Sequence, residues 1–146
     1  MTIAPTIRTA LLTSALVLGT ATVAHAEPIH TAKDAVVCFI SAIPPYKTDA
    51  GSIASINFGF KVHCTGRPSL RSVNTKLYRY DPADGKYYVH SERNDDTTDP
   101  DVETLYSASC SAAGILYQFH TKATMSAFHG NWDREYDDST TIGALC

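Results

Sequence analysis

The sequence predicts an all-β protein, about seven antiparallel strands packed as a β-sandwich and held by two disulfides. Three observations predict it. Two long segments alternate apolar and polar residues with a period of two, no segment shows a capped 3.6-residue apolar stripe, and four cysteines follow an export-type leader.

The leader comes first. Residues 1–26 carry one positive charge, Arg8, no acidic residue, an apolar stretch around Ala10–Leu18 and the small-x-small pattern Ala24-His25-Ala26, the marks of a signal peptide. That stretch is shorter than the roughly 20 apolar residues of a membrane span, so the expectation is a secreted protein with no membrane association. The mature domain is expected to run 27–146. Its first stretch, Glu27–Lys33, has no periodicity and reads as a mobile N-terminal arm, with Glu27, Pro28, Ile29 and His30 as candidate binding residues.

The strands follow in order. Ala35–Ile43 is apolar and is expected to end at Pro44-Pro45, since proline cannot donate to a strand ladder. Ser55–Cys64 places Ile56, Phe58, Phe60, Val62 and Cys64 on one face. Val73–Asp81 and Lys86–Arg93 flank Asp81-Pro82-Ala83-Asp84-Gly85, a turn with Pro early and Gly late, and read as a hairpin. Glu103–Cys110, the long alternating Gly114–Phe128, and Thr140–Cys146 complete the set. Asn94–Glu103, rich in acid, reads as an exposed loop.

Cys38, Cys64, Cys110 and Cys146 all lie after the leader, and no two have the C-x₂–₄-C spacing of structural zinc. Disulfides are therefore expected, with three connectivities open. Cys38–Cys64 and Cys110–Cys146 are favoured because each pair would bracket neighbouring strands. The mature chain carries 11 Lys and Arg against 15 Asp and Glu. That acidic balance offers no basic stripe for nucleic acid and no Lys/Arg cluster for an anionic membrane.

Each candidate site has two readings. His129-Gly130-Asn131-Trp132 is either a general base beside a stacking tryptophan, or a turn whose Gly and Asn tolerate positive φ, with Trp132 folded over the sandwich edge. His90, Glu92, Arg93 and His120 supply the residue types of a secreted ribonuclease, but Arg93 is expected to face away from His90 and Glu92. His63 and His120 would hold a metal only if their strands were neighbours. Asp95, Asp96, Asp99, Asp101 and Glu103 lack the calcium-loop pattern. Lys47, within Ile43–Ser52, would sit at a loop tip in a protease inhibitor. Tyr78, Tyr80 and Tyr87 crowd one hairpin, and with Val89 share a face if Tyr80 opposes Tyr87. They read as cross-strand packing or as a contact patch for a protein or sugar.

The layout of two early and two late cysteines, and the closing segment Ala123–Cys146 (ATMSAFHGNWDREYDDSTTIGALC), resembles a group of small secreted β-rich proteins of actinomycetes. One branch of that group serves as the adaptor subunit of umbrella-shaped antibacterial toxin particles. The resemblance implies that Glu27–Lys33 is an arm docking on a partner as an extended segment. The expectation is thus a secreted, non-catalytic binding module, an adaptor with a protein partner, no metal and no cofactor. A small hydrolase or ribonuclease-like toxin and a protease inhibitor are the alternatives.

Overall fold

A computed structural model describes residues 35–49, 53–110 and 114–146. Among the described residues eight strands form two sheets: β1 (Cys38–Lys47), β2 (Ile56–Cys64), β3 (Leu70–Asp81), β4 (Lys86–Asp95), β5 (Asp101–Ala108), β6 (Leu116–Phe128), β7 (Trp132–Asp138) and β8 (Ile142–Leu145). The smaller sheet, here sheet A, has the order β1-β2-β5. Sheet B has the order β4-β3-β6-β7, with β8 also pairing β6. All pairings are antiparallel. The proposed arm, with Glu27, Pro28, Ile29 and His30, lies outside the described residues.

The sheets face each other because each strand buries alternate side chains. Ile56, Phe58, Phe60 and Val62 of β2 meet Val73, Leu77, Phe119, Ala123 and Met125 of β3 and β6, all of them buried. Tyr106 on β5 packs against both halves of this core. Its ring lies 5.7 Å from that of Phe58 and 6.5 Å from that of Phe60.

Two disulfides close the structure, Cys38–Cys64 and Cys110–Cys146. The first joins directly opposed residues of β1 and β2. The second joins the end of β5 in sheet A to the end of β8 in sheet B, so it ties sheet to sheet rather than neighbouring strands.

Three expectations are corrected. Strand β1 does not stop at Pro44-Pro45 but continues to Lys47. It lies at a sheet edge, and the β1–β2 register shifts between Ile43 and Tyr46, so one extra residue accommodates the prolines. Lys47 consequently sits on a strand and donates to the Leu145 carbonyl at 2.7 Å, rather than standing at a loop tip. The count of strands rises to eight because Trp132–Asp138 forms β7. Its sheet-facing residues are carboxylates, not apolar groups. Asp133 accepts from the Cys38 amide at 3.2 Å and Asp137 from the Ala42 amide at 2.8 Å, covering the outer edge of β1.

The acidic loop after β4 is organised by Arg71, whose side chain is fully buried. Its guanidinium donates to the Asp99 carbonyl and to Thr97 Oγ1 and lies 3.7 Å from the Asp95 carboxylate. Burial lowers the Arg71 pKa, and Asp95 opposes that shift. Asp95 and the Asp99 carbonyl thus hold Arg71, while the carboxylates of Asp99, Asp101 and Glu103 pair with Arg67, His63 and Lys61. Among the described residues no group of three or more His, Cys, Asp or Glu is arranged to hold a metal.

Candidate functional site

The outer face of sheet B carries a cluster of partly exposed aromatic side chains, and the β3–β4 hairpin builds it. The turn is fixed locally. Gly85 has a φ of +72°, which favours glycine. Its amide donates to the Asp81 carbonyl at 2.9 Å, and the Asp81 carboxylate accepts from the Ala83 amide at 2.9 Å. Tyr88, on the opposite face, donates to the Asp84 carboxylate, a bond that raises the phenol pKa.

This turn sets Tyr80 opposite Tyr87 and Tyr78 opposite Val89. On the other side of β3, Tyr80 opposes Gln118 and Tyr78 opposes His120. Gln118 in turn opposes Gly143 on β8. Two cross-strand rows result. One reads Tyr87, Tyr80, Gln118, Gly143; the other reads Val89, Tyr78, His120.

The rings in these rows touch. Tyr78 stacks on His120 with centroids 5.0 Å apart and planes 9° from parallel. Tyr87 meets the same imidazole edge-on at 4.6 Å and lies 5.2 Å from Tyr80. The Tyr87 hydroxyl points to Gln118 Oε1 at 3.5 Å. Removal of the imidazole from water lowers the His120 pKa; Asp138 pulls it up and Lys122 pulls it further down. Tyr87 is 40% exposed and Val89 47%.

Beyond Tyr80 the row opens into a groove of about 470 Å³. Tyr80, Pro82, Leu116, Gln118 and Thr141–Gly143 line it. The groove exists because Gly143 contributes no side chain to a row otherwise filled by large residues. Among the described residues, no charged side chain lines it.

The remaining candidates are kept apart. The β3–β4 register shifts between Leu77 and Tyr78, so His90 is the extra residue of a bulge. Its ring turns toward buried Phe119, 5.6 Å away, and its Nε2 donates to the Ser109 carbonyl at 2.8 Å. The expected common face of His90 and Glu92 is therefore lost. Glu92 instead accepts from Asn74 at 2.6 Å and pairs with Lys76 at 3.4 Å, and the Asn74 hydrogen bond, with Lys76 behind it, lowers its pKa. Arg93 donates to the Glu92 carbonyl. His63 is on sheet A beside Asp101, while His120 is on sheet B.

His129-Gly130-Asn131 forms the β6–β7 turn, with Gly130 at φ +86° and the His129 amide donating to the Asn131 carbonyl at 3.1 Å. Trp132 does not fold over the edge. It stands opposite Phe128 on the outer face of sheet B, 5.2 Å from that ring and 61% exposed.

Reading the hairpin alone finds Tyr78, Tyr80 and Tyr87 but misses Gln118, His120 and Gly143 as their neighbours. The period of two on β6 places Gln118 and His120 on one face, but only the pairing of β6 with β3 brings that face to the tyrosines. Comparison with family models, with curated proteins and with solved structures finds no match to this chain.

Proposed function

We propose that this chain is a non-catalytic binding module that acts outside the cell and contacts a protein partner through the tyrosine-rich end of sheet B. The observation that carries the reading is the contiguous face of Tyr78, Tyr80, Tyr87, Val89 and His120, held on three paired strands, with Tyr87 and Val89 exposed and Tyr78, Tyr80 and His120 half-buried beside them. Tyrosine offers large contact area with few rotatable bonds, so ordering it on binding costs little entropy. An exposed apolar cluster on a rigid scaffold is a common mark of an interaction surface. The two disulfides fit an oxidising, extracellular setting. The likeness in layout to the group of small secreted actinomycete proteins, one branch of which serves as adaptor subunits, gives the reading its specific form, an adaptor in an antibacterial toxin assembly.

The test is affinity purification of the tagged mature protein from the native culture supernatant, with co-eluting chains identified by mass spectrometry. A stoichiometric partner is expected with the unaltered protein and its loss with the folded Tyr78→Ala/Tyr87→Ala variant. Recovery of the protein alone at low salt, or full partner capture by the variant, would overturn the reading.

A further inference from the structure

The groove beside Gly143 has a chemistry of its own. It is lined by Tyr80, Pro82, Leu116 and Ile142, and by Gln118 and Thr141, whose side chains, like the Tyr80 phenol, can donate and accept hydrogen bonds. Its size falls within the roughly 300–1,000 Å³ of small-ligand sites. An uncharged lining gives an anion or a metal ion nothing to pair with. A purely apolar ligand would leave the amide and hydroxyl without partners.

We propose that this groove binds a neutral pyranose sugar. A pyranose has one face of C–H bonds with slight positive charge, which the electron-rich face of a tyrosine attracts. Its rim of hydroxyl groups both donates and accepts. Gln118 can meet that rim, because its Oε1 faces the Tyr87 hydroxyl while its NH₂ group keeps two donors. Thr141 supplies a further donor and acceptor. Gly143 lets the sugar approach the strand backbone, the use a strand-interior glycine commonly has. This goes beyond the protein-contact reading, with which it shares only Tyr80.

That overlap makes Gly143→Val the decisive variant. A Cβ at Gly143 meets nothing closer than Leu116 Cδ1 at 3.7 Å, an ordinary contact, so the strand accepts a Cβ there, and the methyl groups of a valine are expected to take up space in the groove. Saturation-transfer NMR and calorimetry on the intact mature protein use three probes: cellohexaose, chitohexaose and mannohexaose. Transfer to ring C–H protons of at least one is expected. Affinity should fall about tenfold or more in both Tyr80→Ala and Gly143→Val. Capture of a protein partner should survive Gly143→Val, so failure of the sugar site and failure of the protein contact are separately visible.

Two further arms identify the source. Retention on the matching insoluble polysaccharide points to a wall polymer, and capture of a glycoprotein that is lost on enzymatic deglycosylation points to a protein glycan. Absence of transfer from all three probes, or unchanged affinity in Gly143→Val, overturns the proposal.

Discussion

The carboxylate of Asp137 accepts a hydrogen bond from the backbone amide of Ala42 at 2.8 Å, joining an edge of sheet A to an edge of sheet B. Asp133 does the same for Cys38, four residues back along both strands. A strand edge usually presents its amides to solvent or to another chain. Here β7 lends its acidic side chains to that edge. Asp137→Ala should leave the Ala42 amide partly buried without an acceptor and destabilise the fold by about 1–3 kcal/mol. Asp137→Asn keeps an oxygen acceptor and should cost less. Urea unfolding midpoints with an unchanged m-value will show it.

Gly59 and Gly143 look alike in the sequence and should behave oppositely. A Cβ on Gly59 would lie 1.9 Å from the Thr104 carbonyl oxygen, a backbone atom in the neighbouring strand that cannot swing aside. Gly59→Ala should therefore cost about 3 kcal/mol. Gly143→Ala should change stability by no more than about 0.5 kcal/mol. Thermal unfolding of the two variants side by side is the measurement, and equal effects would sink the argument.

Thr75 and Thr121 are fully buried on the inner face of sheet B, and neither hydroxyl has a hydrogen-bond partner among the described residues. Burying such a group unpaired costs free energy. Thr75→Val and Thr121→Val should each stabilise by about 1 kcal/mol, a rise in Tm of about 4 °C for a domain of this size. A fall in Tm would mean that the hydroxyls are needed where they are.

His120 makes stability depend on pH. Burial between Tyr78 and Tyr87 lowers its pKa, so the folded chain takes up a proton less readily than the unfolded chain, whose histidine titrates near 6.5. The contribution is fully present above about pH 6.5 and is lost as the pH falls through that value toward the folded-state pKa. His120→Gln should lose less stability than the unaltered protein between about pH 8 and about pH 5. Parallel slopes in urea titrations across that range would refute the assignment.

Local signals in the chain carried much of the architecture. The alternation of Ile56, Phe58, Phe60 and Val62 needs only the period of two to place the core face of β2, and the turn residues from Asp81 to Gly85 mark the hairpin, in which the structure sets Tyr80 opposite Tyr87. Other features depend on partners distant in sequence. No local pattern says that β6 lies beside β3, so the joining of Gln118 and His120 to the tyrosines was not legible. Strand β7 was hidden because Asp133 and Asp137 serve a backbone edge where an apolar side chain would have announced a strand. The bulge that turns His90 inward likewise leaves no mark in composition. Arg71 escaped notice because its partners, Asp95, Thr97 and Asp99, read as a solvated acidic loop.

The disulfides have a mechanical consequence. Under tension between Cys38 and Cys146, the 26-residue span up to Cys64 and the 36-residue span after Cys110 are short-circuited by sulfur bridges. β1, β2, β6, β7 and β8 lie within those loops and carry no load along the covalent path. Only the stretch from Cys64 to Cys110 can be drawn out, about 150 Å of contour against about 370 Å for the reduced chain, at roughly 3.3–3.6 Å per residue. The groove loses its Tyr80 wall when that stretch extends, while Gln118 and Gly143 stay within the bridged loop. A pull between the two cysteines would thus release a ligand held between Tyr80 and Gln118 before the chain could reach its full length.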